Sequence, residues 1–265
     1  MNISVLFIGD VVGEPGLAAL AKWLPELLAE RQYDIVIANG ENVSKGRGIT
    51  VKQVKELLHL GVHVITGGNH TFDREKVPEV FEKYSDVVLR PANYPPEVMG
   101  NGSTIYRIND EIKIGIINLQ GRLFMTATDN PFTVGDKIVA SLANETNLIF
   151  IDFHAEATAE KIALARHFDG KVSAVVGTHT HVQTADAEIF PGGTAFMCDA
   201  GMTGSFSGVI GMKADVAISK IRLGVAPNSA PASGDMRLHG VAIELDSVTG
   251  KALSIHPIQR KETVS

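Results

Sequence analysis

The stretch "LIFIDFHAEATAEKIALARHFDGKVSAVVGTHTH" (residues 148–181) decides how the fold is read. An apolar run, 148–153, precedes a helix-period segment, 156–168, and a second apolar run, 172–177. This is the pattern of two parallel strands joined by a crossover helix. Both runs are predominantly apolar, as are the other runs along the chain, which predicts a sheet covered on both faces. Both also end on imidazoles: His154 after the first, His179 and His181 after the second. A histidine that closes a buried strand needs a partner for its ring. Two imidazoles one residue apart are either turn residues or two ligands aimed at metal.

The same alternation extends outward. Runs 3–9, 34–39, 62–66, 87–89 and 113–119 read as further strands, and 16–32, 50–60 and 74–84 as helices. Thr50 is placed to cap the second helix and Gly61 to stop it, while Pro25 should kink or restart the first. Runs 194–200, 238–246 and 251–259 read as later strands, the last two joined by the hairpin turn "SVTG". Residues 223–235 are poor in large apolar side chains and read as a long, mobile loop. Nothing marks a linker, so 1–265 is expected to be a single domain of the α/β class.

Composition narrows the partners. The 265 residues are 45% hydrophobic and 20% charged, as in an ordinary globular protein, with a net charge of −6. No basic stripe suggests a grip on long nucleic acid. A lone cysteine, Cys198, cannot form a disulfide within the chain, and the start resembles no signal peptide. No apolar stretch is long enough to span a bilayer. The expectation is a cytoplasmic protein with no membrane partner; a homo-oligomer stays open. Cys198 and Trp23 read as core residues, and His59, His63, His167, His239 and His256 as surface or satisfied core histidines.

Strand ends carry the chemistry. Asp10 follows the first run, Glu41 and Asn42 the second, Asn69 and His70 the third, His154 the run 148–153, and His179 and His181 the last. In open α/β sheets, ligands bind outside the carboxyl ends of the strands. Singly, Asp10 reads as a turn or cap residue, Asn69 as a turn residue, and Glu41 and Asn42 as loop polars. Together they form a set of oxygen and imidazole donors, suited to Mn, Fe or Zn, with no thiolate. Seven donors exceed what one open catalytic ion takes; they fit two ions sharing a carboxylate. Lys45 and Arg47 lie beside this rim as candidate phosphate contacts, and the glycine-rich stretch 201–208 as a candidate nucleotide cover.

The blocks "GD" (9–10), "GEN" (40–42), "GGNHTFD" (67–73), "FH" (153–154) and "GTHTH" (177–181) resemble, in order, those of calcineurin-like metallophosphoesterases. Two depart from the general pattern: no histidine follows Asp10 at the usual spacing, and Glu41-Asn42 stands where an aspartate is usual. These departures, with "RPANYP", "DNPF" and "DFHAEATAEK", resemble the YmdB-like phosphodiesterase subfamily. The resemblance implies a two-sheet β-sandwich flanked by helices, in α/β/β/α layers. It implies two metal ions, Fe or Mn before Zn: one held by Asp10, Glu41, Asn42 and His181, the other by Glu41, Asn69, His154 and His179. It also implies hydrolysis of a small phosphodiester, a 2′,3′-cyclic nucleotide giving the 3′-nucleotide, by in-line attack of a metal-bridging hydroxide. His70 would be the general acid and Asp73 would orient it. The alternatives are another metallophosphoesterase activity (phosphomonoesterase, 5′-nucleotidase or nuclease) or a non-catalytic regulator that senses cyclic nucleotides.

Overall fold

The computed structural model describes residues 1–225 and 230–262. In chain order these form β1 (Asn2–Ile8), β2 (Asp10–Val11), α1 (Gly13–Glu30), β3 (Ile35–Asn39), α2 (Val51–His59), β4 (Val64–Thr66) and α3 (Val77–Tyr84). Then come β5 (Ser103–Arg107), β6 (Lys113–Gln120), α4 (Pro131–Leu142), β7 (Ile149–His154), α5 (Thr158–His167) and β8 (Ala174–Thr178). The remainder is β9 (Glu188–Ile189), β10 (Ala195–Met197), β11 (Met202–Ser205), α6 (Ala214–Leu223), β12 (Met236–Asp246) and β13 (Ala252–Lys261).

Two sheets result. One runs β2-β11-β12-β1-β3-β4, with β13 also on β12; the other runs β5-β6-β7-β8-β10-β9. In the first, β1, β3 and β4 are parallel; in the second, β6, β7, β8 and β10 are. Strand alternation sorts the side chains into layers. Ile3, Val5 and Phe7 of β1 face Ile114, Ile116 and Phe150 across the inter-sheet core, where the Phe7 and Phe150 rings lie 5.1 Å apart. Leu6 and Ile8 point the other way, to Leu20, Trp23 and Leu24 of α1. On the far side, Ile149, Ile151 and Phe153 meet Leu164, Ala165 and Val139 of α5 and α4. The layers are α/β/β/α, as the resemblance implied.

Several local expectations change. α1 continues unbroken through Pro25. Thr50 precedes α2, but its hydroxyl bonds the Gln53 side chain rather than a backbone amide. Residues 87–89 make only isolated bridges, Val88 to Ile65 and Leu89 to Asn101. The stretch 201–208 is no cover: its first half is β11, buried and paired with β2 and β12. Of the expected loop 223–235, Leu223 ends α6, Gly224 caps it in the left-handed conformation, and Pro231 bridges Met212. Residues 226–229 of that expected loop lie outside the described residues.

The parallel strands bring their carboxyl ends to one edge, and glycine lets the backbones close there. A Cβ on Gly68 would stand 2.4 Å from Glu41 Oε2 and 2.5 Å from His154 Nε2. One on Gly9 would stand 2.0 Å from the Gly201 carbonyl oxygen. Any side chain at either position would push strand ends and donors apart.

Candidate metal centre

Asp10 lies in β2, Glu41 and Asn42 follow β3, Asn69 and His70 follow β4, His154 ends β7, and His179 and His181 follow β8. The structure brings all eight to one edge. Asp10, Glu41, Asn42 and His154 are buried; Asn69, His70, His179 and His181 are half-buried.

Hydrogen-bond partners assign the imidazole tautomers. Thr178 donates to Asp152 Oδ1 (2.7 Å), so its oxygen accepts from His154 Nδ1 (2.9 Å). His154 Nε2 therefore faces inward. It lies 2.9 Å from Asn69 Oδ1, 3.0 Å from His179 Nδ1 and 3.1 Å from Glu41 Oε1. Glu156 accepts from His179 Nε2 at 3.0 Å, which turns the Nδ1 lone pair of His179 to the same point. The Ile210 carbonyl accepts from His181 Nδ1 at 3.0 Å, which leaves His181 Nε2 facing the Asn42 amide (3.2 Å) and Asp10 Oδ1 (3.8 Å). That amide nitrogen also lies 3.0 Å from Glu41 Oε1 and 3.4 Å from Asp10 Oδ1.

Two groups of acceptors thus converge, with Glu41 Oε1 in both. One centres on the Asn42 amide and the other on His154 Nε2. Glu41, His154 and His179 offer ligand atoms within 4.8 Å of one another. Buried acceptors gathered this way call for positive charge at their centre. In the metal-free protein a proton answers that call. Burial alone would lower His154, but the Glu41 carboxylate, then Asp10 and Asp152, outweigh it and push His154 up to about 9. Burial acts upward on Glu41 as well, yet His154 and the His70 amide hold it down, at about 2. Burial and the neighbouring His154 push His179 down to about 3, so it stays neutral and free to ligate. Donor chemistry and electrostatics both fit a cation.

His179 and His181 have φ of 102° and 65°. Positive φ is uncommon outside glycine and clusters where function over-determines the backbone. The hold on this turn is Asp199, buried beyond β10. It accepts from the Thr180 amide (3.0 Å), the Thr180 hydroxyl (2.8 Å) and the buried Lys161 ammonium of α5 (2.8 Å). His70 Nδ1 meets Asp73 Oδ2 at 2.9 Å, which leaves Nε2 for the cleft that His70 lines.

A family model for YmdB-like proteins matches residues 6–258. The chain belongs to the YmdB-like family. It is 44% identical over 256 residues to the 2′,3′-cyclic-nucleotide 2′-phosphodiesterase of Bacillus subtilis (strain 168), with 96% of each chain covered. Among solved structures it resembles a hypothetical protein from Thermus thermophilus (TM-score 0.91, 36% identity, 98% of this chain and 100% of that one). It resembles equally a novel phosphatase from Mycoplasma pneumoniae (TM-score 0.91, 33% identity, 98% of this chain and 94% of that one).

Beyond the donors, the YmdB-like site rests on residues that sequence reasoning passed over. Asp152 takes hydrogen bonds from Asn39 (3.1 Å), Thr66 (2.5 Å) and Thr178 (2.7 Å), joining both sheets beneath the cluster. Burial pushes its carboxyl up to about 7. A carboxylate inside the apolar run "LIFIDF" was the available signal. Glu156, Lys161 and Asp199 gave no comparable sign. His239, expected to be surface or satisfied core, is buried with Nδ1 unpartnered, and burial lowers it to about 4. Cys198 and Trp23 are buried as expected.

Proposed function

We propose that the protein is a metal-dependent phosphodiesterase that opens 2′,3′-cyclic nucleotides to 3′-nucleotides. The observation that carries this reading is Glu41 Oε1, which belongs to two converging groups of acceptors at once. Asp10, Glu41, Asn42 and His181 would hold one ion, and Glu41, Asn69, His154 and His179 the other. Iron or manganese suits such oxygen and imidazole donors. When bound, two such ions supply water acidic enough to ionise near neutral pH, together with positive charge for the phosphoryl oxygens.

The chain's own residues do the rest. Asp152 and Thr178 hold His154 in the tautomer that presents Nε2. Glu156 does the same for His179, and the Ile210 carbonyl for His181. Water adds to phosphorus, the P–O2′ bond breaks, and the 2′ oxygen leaves needing a proton. His70 delivers it from Nε2, while Asp73 accepts from Nδ1 and fixes the ring. Lys45 and Arg47, which line the same cleft, supply cationic contacts for an anionic ligand.

The activity of the Bacillus subtilis relative supports the substrate. A small-molecule partner and a cytoplasmic setting accord with the acidic chain and its single cysteine. Among the described residues no helix is long and apolar enough to cross a membrane. We read 1–265 as one working unit, because β1 and β12, from opposite ends of the chain, are paired. The deciding experiment is metal analysis combined with assay on 2′,3′-cyclic nucleotides, 3′,5′-cyclic nucleotides, nucleoside monophosphates and short RNA. Two ions per chain and preference for the 2′,3′-cyclic class are expected. One ion per chain, or turnover of monophosphates alone, refutes the reading.

A further inference from the structure

The cleft beside the donor cluster, about 1140 Å³, has two unlike walls. One carries the donors with Lys45 and Arg47. The other is apolar: Ile210 and Met212, then Val216, Ala217 and Ile221 of α6. Positions 216, 217, 220 and 221 share one helical face, so Lys220 stands among them. None of the ten residues of α6 is buried, and Ile210 and Ile221 are 54% and 80% exposed.

Backbone strain marks the same wall. Ile210 has φ +43°, an outlier for a β-branched residue. Reciprocal Val209–Met212 backbone bonds, 2.9 and 3.0 Å, fix the turn. Its carbonyl accepts from His181 while its side chain stands in the cleft. A glycine would satisfy that carbonyl geometry without strain, so the side chain needs a reason of its own.

Resting on the phosphodiesterase reading above, we propose that this wall is a nucleoside subsite. Ile210, Met212, Val216 and Ile221 cover the base and ribose of an ester whose phosphate lies at the donor cluster. They thereby select nucleotides over small diesters. Three features favour that occupant. The wall and the donors line one continuous cleft. Lys220, Lys45 and Arg47 around it complement an anion. The cleft exceeds what a phosphate alone fills, and apolar lining with a few placed polar groups is the make-up of small-ligand sites.

Two variants test it: Ile221→Ser and Val216→Ser, both on the cleft-facing side of α6, a helix with no buried residue and no bond to the donor cluster. Each is assayed on 2′,3′-cyclic AMP and on bis(p-nitrophenyl) phosphate, with 3′-AMP binding measured by calorimetry and association state by sedimentation. Losing one apolar contact should lower kcat/KM for the nucleotide about tenfold or more, mainly through KM, and weaken 3′-AMP similarly. The aryl diester should fall clearly less. Equal losses on both substrates, or an unmoved nucleotide KM and 3′-AMP affinity, overturn the proposal. So does a changed association state with selectivity intact, because the face would then belong to a second copy. If the wild type cleaves only the aryl diester, the phosphodiesterase reading loses its substrate, and the 3′-AMP binding still decides the subsite.

Discussion

His70 and His154 stand at the same edge of the fold yet have opposite tasks, and each task has its own measurement. His70→Ala should lower turnover of a cyclic nucleotide by about 10²–10⁴-fold, because a poor leaving group needs its proton. An activated aryl diester should lose less, and metal content should hold; equal loss on both would remove the acid role. His154 predicts a pH dependence. Its proton occupies the place a cation would take, so metal uptake must expel it, and Mn(II) affinity should rise about tenfold per pH unit between about pH 7 and pH 9. The same proton contributes to the metal-free fold. Because the folded value, about 9, stands above the ordinary 6.5, that contribution is complete below 6.5 and is lost as pH rises through 9. Melting of chelated protein across that range checks the sign. The seven donor residues and His70 were legible from the sequence because each follows an apolar run. The residues that aim them were not: Thr178, Glu156 and the Ile210 carbonyl act through contacts that only folding creates.

Among the elements, α5 and the turn after β8 are joined through buried charge. Lys161 and Asp199 are both almost inaccessible, and Asp199 carries the Thr180 backbone between the two histidines. Lys161→Ala should leave that carboxylate unpaired and destabilise the protein by about 3–5 kcal/mol, seen as a lowered denaturation midpoint. An unchanged midpoint would mean that water reaches Asp199. The strands β1, β3, β6, β7 and β8 were readable because their runs are apolar on both faces. β5, half-buried at a sheet edge, and β2 and β9, two residues each, have no such signature. α4 escaped because Gly135 interrupts its period, yet that glycine is required: a Cβ there would stand 2.7 Å from the Phe168 ring. α6 escaped for the opposite reason, since it buries nothing and shows no apolar stripe facing a core.

For the molecule as a whole, the acceptor cluster gathers buried lone pairs and carboxylates whose mutual repulsion a bound cation would relieve. Stripping the ions should lower the melting temperature, and saturating ion at 100 times Kd should restore about 2.7 kcal/mol. A melting curve indifferent to chelator and to added Mn(II) would mean that the edge holds no ion. The α/β class was foreseeable from alternation and the layers only from the family resemblance; sheet order was not, because register across distant strands leaves no local mark on sequence. One such pairing has a consequence for how the protein is made. β1 is antiparallel to β12, with Asn2 opposite Asp246. At about 5–20 residues per second, a ribosome delivers the second partner on the order of ten to fifty seconds after the first. Throughout that interval the leading strand of the nascent chain has one flank uncovered, an open edge exposed to wrong pairing until β12 emerges.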